Sequence, residues 1–118
     1  MGFSKKLSLL ISLGTIFLFI PFDSSAQLIS GKKLAADMQE FEKAEKQDPT
    51  ANYQQAYFFM GYVAGVYDLS DDANLYPVKP TIRQVCSIVA KYLRENPKEW
   101  DLPGDFVITK ALKKAFPK

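Results

Sequence analysis

The chain has 118 residues, enough for one domain, and its 15 Lys and Arg against 13 Asp and Glu give a net charge of +2. That balance makes no electrostatic case for nucleic acid or an anionic membrane as a partner. Histidine is absent and Cys86 is the only cysteine, which removes Ser-His-Asp and Cys-His catalysis, the commonest zinc ligand and any intrachain disulfide.

The first 26 residues read as a leader. Lys5 and Lys6 precede an apolar run, Leu7–Ile20, which Pro21 breaks, and Ser24-Ser25-Ala26 offers small residues for cleavage. This is the pattern of a secretory signal peptide. The run of 14 residues falls short of the roughly 20 that span a bilayer. Residues 1–26 are therefore expected to be a cleaved signal, and 27–118 a periplasmic domain of 92 residues with no stable membrane insertion after cleavage. Removing the leader takes away Lys5, Lys6 and Asp23 and leaves a net charge of about +1. A domain this small, without a disulfide, rests on core packing alone or on a homodimer.

The first helix is expected over Gly31–Lys46, with Ser30 as its N-cap. Leu34, Met38 and Phe41, with Ala35 beside them, make one apolar stripe, and Lys32, Lys33, Glu40, Glu42, Lys43 and Lys46 fall on the wet side. Asp48-Pro49-Thr50 separates it from a second helix running from near Thr50 to Leu69, since proline suits a first helical position. The stretch Tyr57–Asp68 is apolar on every side of the helical wheel, the mark of a helix buried all round. Tyr53, Tyr57, Met60, Ala64 and Tyr67 form one stripe, and Phe58, Tyr62 and Val66 a second. Buried tyrosines need hydroxyl partners, so some of them are expected to face solvent or a second subunit. Gly61 and Gly65 weaken a helix, which suggests the close approach of another helix.

Asp68–Pro80 has no periodicity and is stiffened by Pro77 and Pro80. It begins like a calcium loop, with Asp68, Ser70 and Asp72, then fails: Ala73 stands where the turn needs glycine and Lys79 where a bidentate glutamate belongs. No metal and no cofactor is expected. The loop reads as an exposed connector or as a contact loop, because a stiff loop loses less entropy on binding.

The third helix opens with a capping box, Thr81-Ile82-Arg83-Gln84. Ile82, Val85, Cys86, Val89, Tyr92 and Leu93 make its apolar face, so Cys86 is expected to be a small buried hydrophobe. Pro97 ends it. Trp100 reads as a lid on the core or, if exposed, as a hot spot for a partner. The fourth helix, about Pro103–Ala115, turns Val107, Ile108, Ala111, Leu112 and Ala115 inward. The fold expected is all-α, a small bundle of four main helices around a buried central helix at about 50–69. Gly61 and Gly65 lie inside a helix, so they make no phosphate loop, and the chain is not expected to be an enzyme.

The whole mature chain, 27–118, resembles the Rap/Tai immunity proteins associated with type VI secretion amidase effectors. The features come in the family's order. Gly61-Tyr62-Val63-Ala64-Gly65-Val66 is followed by Asp68, and a loop carries Tyr76-Pro77. Gln84 opens the third helix, Tyr92-Leu93 precedes Asn96-Pro97, and Ala111-Leu112 leads to Ala115-Phe116-Pro117. The resemblance implies an exported, all-helical, often dimeric protein that sterically blocks a cognate cell-wall amidase. Tyr76 and Lys118 stand where many relatives carry cysteines that would bridge.

The candidate contact residues are Asp68, Asp71, Asp72, Asn74 and Tyr76, in the loop and at its edge. Two other classes fit the same inventory. One is a periplasmic chaperone-like or stress-related binding protein without a dedicated effector. The other is an envelope-assembly subunit acting as a homodimer. A neighbouring amidase gene would favour the first reading, and suppression of client aggregation at low pH the chaperone.

Overall fold

Each expected helix forms, and in the first three a side-chain cap fixes where the helix starts. The structure, a computed structural model, describes residues 28–70 and 79–117. In order these are α1 (Gly31–Glu45), α2 (Tyr53–Leu69), α3 (Ile82–Glu95), a 3₁₀ turn (Pro97–Asp101) and α4 (Gly104–Ala115). Among the described residues there is no strand, only one isolated bridge between Ser30 and Pro103. The all-α, four-helix expectation holds.

Ser30 caps α1, its hydroxyl accepting from the Lys33 N–H at 3.1 Å. At the other end the Asp48 N–H reaches the Lys43 carbonyl and the Gln47 N–H reaches that of Ala44, each at 3.0 Å. This is a Schellman close, and it puts Gln47 in the left-handed region at φ 57. The second helix starts later than expected. Asp48 Oδ1 accepts from both the Thr50 N–H (2.8 Å) and its hydroxyl (2.7 Å). That turn draws Thr50 out of the helix, and Asn52 caps instead, accepting from the Gln55 N–H at 3.1 Å. Both bonds of the Thr81–Gln84 capping box are present, at 3.2 and 2.8 Å.

The core takes Leu34, Met38 and Phe41 from α1, Phe59 and Val63 from α2, Val85, Cys86, Val89 and Leu93 from α3, and Val107, Ile108 and Leu112 from α4. The Phe41 and Phe59 rings meet with centroids 5.2 Å apart. Trp100 folds back over the end of α3, donating from Nε1 to the Leu93 carbonyl at 2.9 Å, and packs on the core as the lid expected. Cys86 is buried, and burial, helped by the Glu45 carboxylate, pushes its thiol up to about 12. Two stripe members fall short of the core: Ile82 is 46% exposed and Ala115 lies at the surface.

α2 is central, packing on α1, α3 and α4, but it is not buried all round. Its buried residues are Ala56, Phe59 and Val63, a line that runs between the two stripes read from the sequence. With apolar residues on every side, periodicity could not choose the inner face.

The close approaches lie at different glycines from those expected. The Gly31 N–H donates to the Leu102 carbonyl at 2.7 Å and the Gly104 N–H to that of Ile29 at 2.9 Å, strapping the start of α1 to the start of α4. A Cβ at Gly31 would stand 2.9 Å from the carbonyl oxygens of both Leu102 and Trp100, and one at Gly104 would stand 3.1 Å from that of Ile29. At Gly61 and Gly65 a Cβ would meet nothing within 4 Å.

Candidate binding surface

Of the five contact residues expected, the described chain contains Asp68. It lies exposed in the last turn of α2. There a carboxylate meets the negative end of the helix dipole and gains nothing from its own helix. Ser70 closes the helix, its N–H (3.0 Å) and hydroxyl (2.6 Å) both donating to the Tyr67 carbonyl. Asp71, Asp72, Asn74 and Tyr76 lie outside the described residues. Both ends of their segment are fixed, by Ser70 on one side and by the Thr81 capping box on the other.

The structure adds a surface on α2, where the sequence reading expected some of the tyrosines to face solvent or a second subunit but the helix as a whole to be buried. The outer half of α2 exposes Tyr53 (49%), Tyr57 (66%), Phe58 (44%) and Leu69 (89%). Gly61 and Gly65 are open between them, and Gln54 and Asp68 are the only polar side chains there without an aromatic ring. An apolar face of this kind marks an interaction site more often than chance exposure does. Each glycine in it costs the helix about 1 kcal/mol relative to alanine, and no contact among the described residues offsets that.

The aromatic end of this face is held in place. Phe58 stacks on Tyr62 at 6.2 Å and 12°, and Lys33 Nζ lies 5.1 Å above the Phe58 ring. Lys33 is itself fixed by Asp37, whose two carboxylate oxygens each accept from Nζ at 2.6 Å. Asp37 is the one fully buried charged side chain among the described residues. Tyr62 leans on Gly104 across the α2–α4 seam, and burial, then the Asp105 carboxylate, push its phenol above its ordinary value. Side chains fixed before binding lose less entropy when a partner arrives.

Sequence reasoning passed over Asp37, although the signal was present. It stands three residues after Leu34 and four before Phe41, inside the apolar stripe, and four after a lysine that can neutralise it. Among the described residues no group of three or more His, Cys, Asp or Glu is placed to hold a metal ion, and the Cys86 thiol is shut in the core. No described helix is long and apolar enough to cross a membrane.

A family model for the Rap1a immunity proteins matches residues 30–117, from the cap of α1 to past the end of α4. The chain belongs to this family. No curated protein and no solved structure matches it. For a Rap1a immunity protein the relevant chemistry is recognition of another protein, and the match includes both the outer face of α2 and the segment that follows Asp68.

Proposed function

We propose that this chain is an exported immunity protein that binds a peptidoglycan amidase delivered by type VI secretion and blocks its cleft by occlusion. The family match over residues 30–117 carries the reading. The ordered resemblance from Gly61 to Pro117 supplies the amidase, and the leader at 1–26 supplies the route to the periplasm. Occlusion needs shape and no reactive group, in keeping with a thiol that burial holds protonated.

The contact residues proposed are Asp68, Asp71, Asp72, Asn74 and Tyr76. The segment that bears four of them joins two helices packed on the core, so its ends are placed before the effector arrives. Asp68 is supported by position alone: it is exposed at the lip of the segment, with no ion pair among the described residues.

The test is protection in cells. A candidate amidase encoded beside this gene is directed to the periplasm of a host, with and without this chain. Lysis is expected without it and growth with it. The triple substitution Asp71→Ala, Asp72→Ala and Tyr76→Ala should abolish protection while helix content stays unchanged. Lysis despite an equal amount of the unaltered chain would overturn the amidase assignment. Suppression of unrelated client aggregation in that event would support the chaperone-like reading instead.

A further inference from the structure

A groove of about 310 Å³ lies between α3 and α4, with Ile88, Tyr92 and Ala111 in its apolar lining. Its α3 wall, from Ile88 to Glu95, runs about 10 Å. Lys91, Glu95 and Lys114 line it as well. All three are exposed, and none enters an ion pair among the described residues. Lys91 also borders a groove beside α1, but the acids there, Glu42 and Glu45, are taken by Arg94 and Arg83. Tyr92 is held in place. Lys114 Nζ lies 5.9 Å from its ring centroid, and Glu99, paired with Lys110, lies beside its hydroxyl.

We infer that this groove binds a short acidic peptide with methyl side chains, carboxylates and a free amine, the chemistry of the stem peptides of peptidoglycan. The carboxylates complement Lys91 and Lys114, and the amine complements Glu95. The length of the α3 wall takes about three extended residues. A volume at the small end of the range for ligand sites suits methyl groups better than aromatic ones. A fatty acid would satisfy the lysines and leave Glu95 with nothing. A protein partner needs about 800 Å² on its side of a stable interface, far more than one short groove offers. The inference rests on the exported reading given above, which puts the chain beside such peptides. Bound there, the chain is held on the polymer that the amidase attacks.

The purified mature chain, labelled with nitrogen-15, is titrated with the tripeptide L-alanyl-γ-D-glutamyl-meso-diaminopimelate and followed by its amide resonances. Saturable shifts confined to residues 88–95 and 111–115 are expected, with a Kd of about 1 mM or below. Lys91→Gln combined with Lys114→Gln should weaken binding at least about tenfold. Helix content should stay unchanged, since neither lysine has an ion pair to lose among the described residues.

Octanoate, an acid without an amine, is the second probe. It should bind more weakly than the tripeptide, and Glu95→Gln should weaken the tripeptide while leaving octanoate as it was. No shift at about 10 mM tripeptide, or shifts spread over other parts of the chain, would overturn the proposal. So would octanoate binding as tightly as the tripeptide, or a tripeptide indifferent to Glu95→Gln or to the paired lysine substitutions. No amidase enters this titration, so its outcome is separate from that of the protection assay. Protection without tripeptide binding removes the groove proposal alone, and tripeptide binding without protection removes the immunity reading alone.

Discussion

Replacing Gly61 with alanine should make the isolated chain more stable, against the usual expectation for a glycine in a central helix. A Cβ at position 61 meets no atom within 4 Å, so nothing is crowded. The gain is the helix propensity difference, about 1 kcal/mol. For a domain of this size that raises the midpoint of thermal unfolding by about 4–8 °C. Gly65→Ala should do the same.

Gly31→Ala is the contrast. Its Cβ would press on the Leu102 and Trp100 carbonyl oxygens at 2.9 Å, and backbone does not yield as a side chain would. A loss of about 1–3 kcal/mol is expected. The assay is urea unfolding followed by far-ultraviolet circular dichroism, at a dilution where the chain does not self-associate. A neutral or destabilising Gly61→Ala in the dilute chain would refute the reasoning, since it would mean that the outer face of α2 is packed within one copy.

Three further outcomes follow from the same geometry. Lys33→Ala strands the buried Asp37 carboxylate. With Lys33 48% exposed, the expected loss is about 2–3 kcal/mol by urea unfolding, below that of a fully buried pair, and Lys33→Met with Asp37→Leu should recover most of it. Gln47→Gly relieves the left-handed backbone at φ 57 and should add about 0.5–1 kcal/mol in the same assay. Glu99 is held below its ordinary 4.5, first by hydrogen bonding from Lys110 and then from Tyr92. A depressed carboxylate stabilises the fold above its unfolded value and loses that contribution as pH falls through the folded one. Acid unfolding curves of Glu99→Gln should therefore be flatter than those of the unaltered chain below about pH 4.5, and identical slopes would remove Glu99 from the account.

How much was legible in the sequence depended on whether polar residues broke the symmetry. The third helix was read correctly because Thr81 and Gln84 mark its start and Lys91, Arg94 and Glu95 mark its wet side, leaving Val85, Cys86, Val89 and Leu93 inside. In α2 no such contrast exists. Phe58 and Phe59 are neighbours of one type, yet one is 44% exposed and the other fully buried. Only the packing of α1, α3 and α4 decides between them. The glycines failed for a related reason. A close backbone approach at Gly31 depends on the return of residues 99–102, dozens of positions later, and local sequence carries no trace of it.

Asp48 held a readable clue, a side chain two residues before an N–H it can capture, and that clue moved the start of α2 from Thr50 to Tyr53. Of the candidate contacts, Asp68 was placed correctly at the edge of helix and segment. The aromatic face beside it was legible only in part: the need of tyrosine hydroxyls for partners put some of the tyrosines at a surface, and Tyr53 and Tyr57 are exposed, but nothing local marked Phe58 or Leu69 as joining them.

The immunity reading is tested most directly by titrating a purified amidase, encoded beside this gene, with the purified chain and following peptidoglycan hydrolysis. Activity should fall in proportion to added chain and vanish near one binding site per amidase, with Asp71→Ala, Asp72→Ala and Tyr76→Ala shifting the titration to higher concentration. Undiminished hydrolysis in the presence of a large excess of the chain would contradict it.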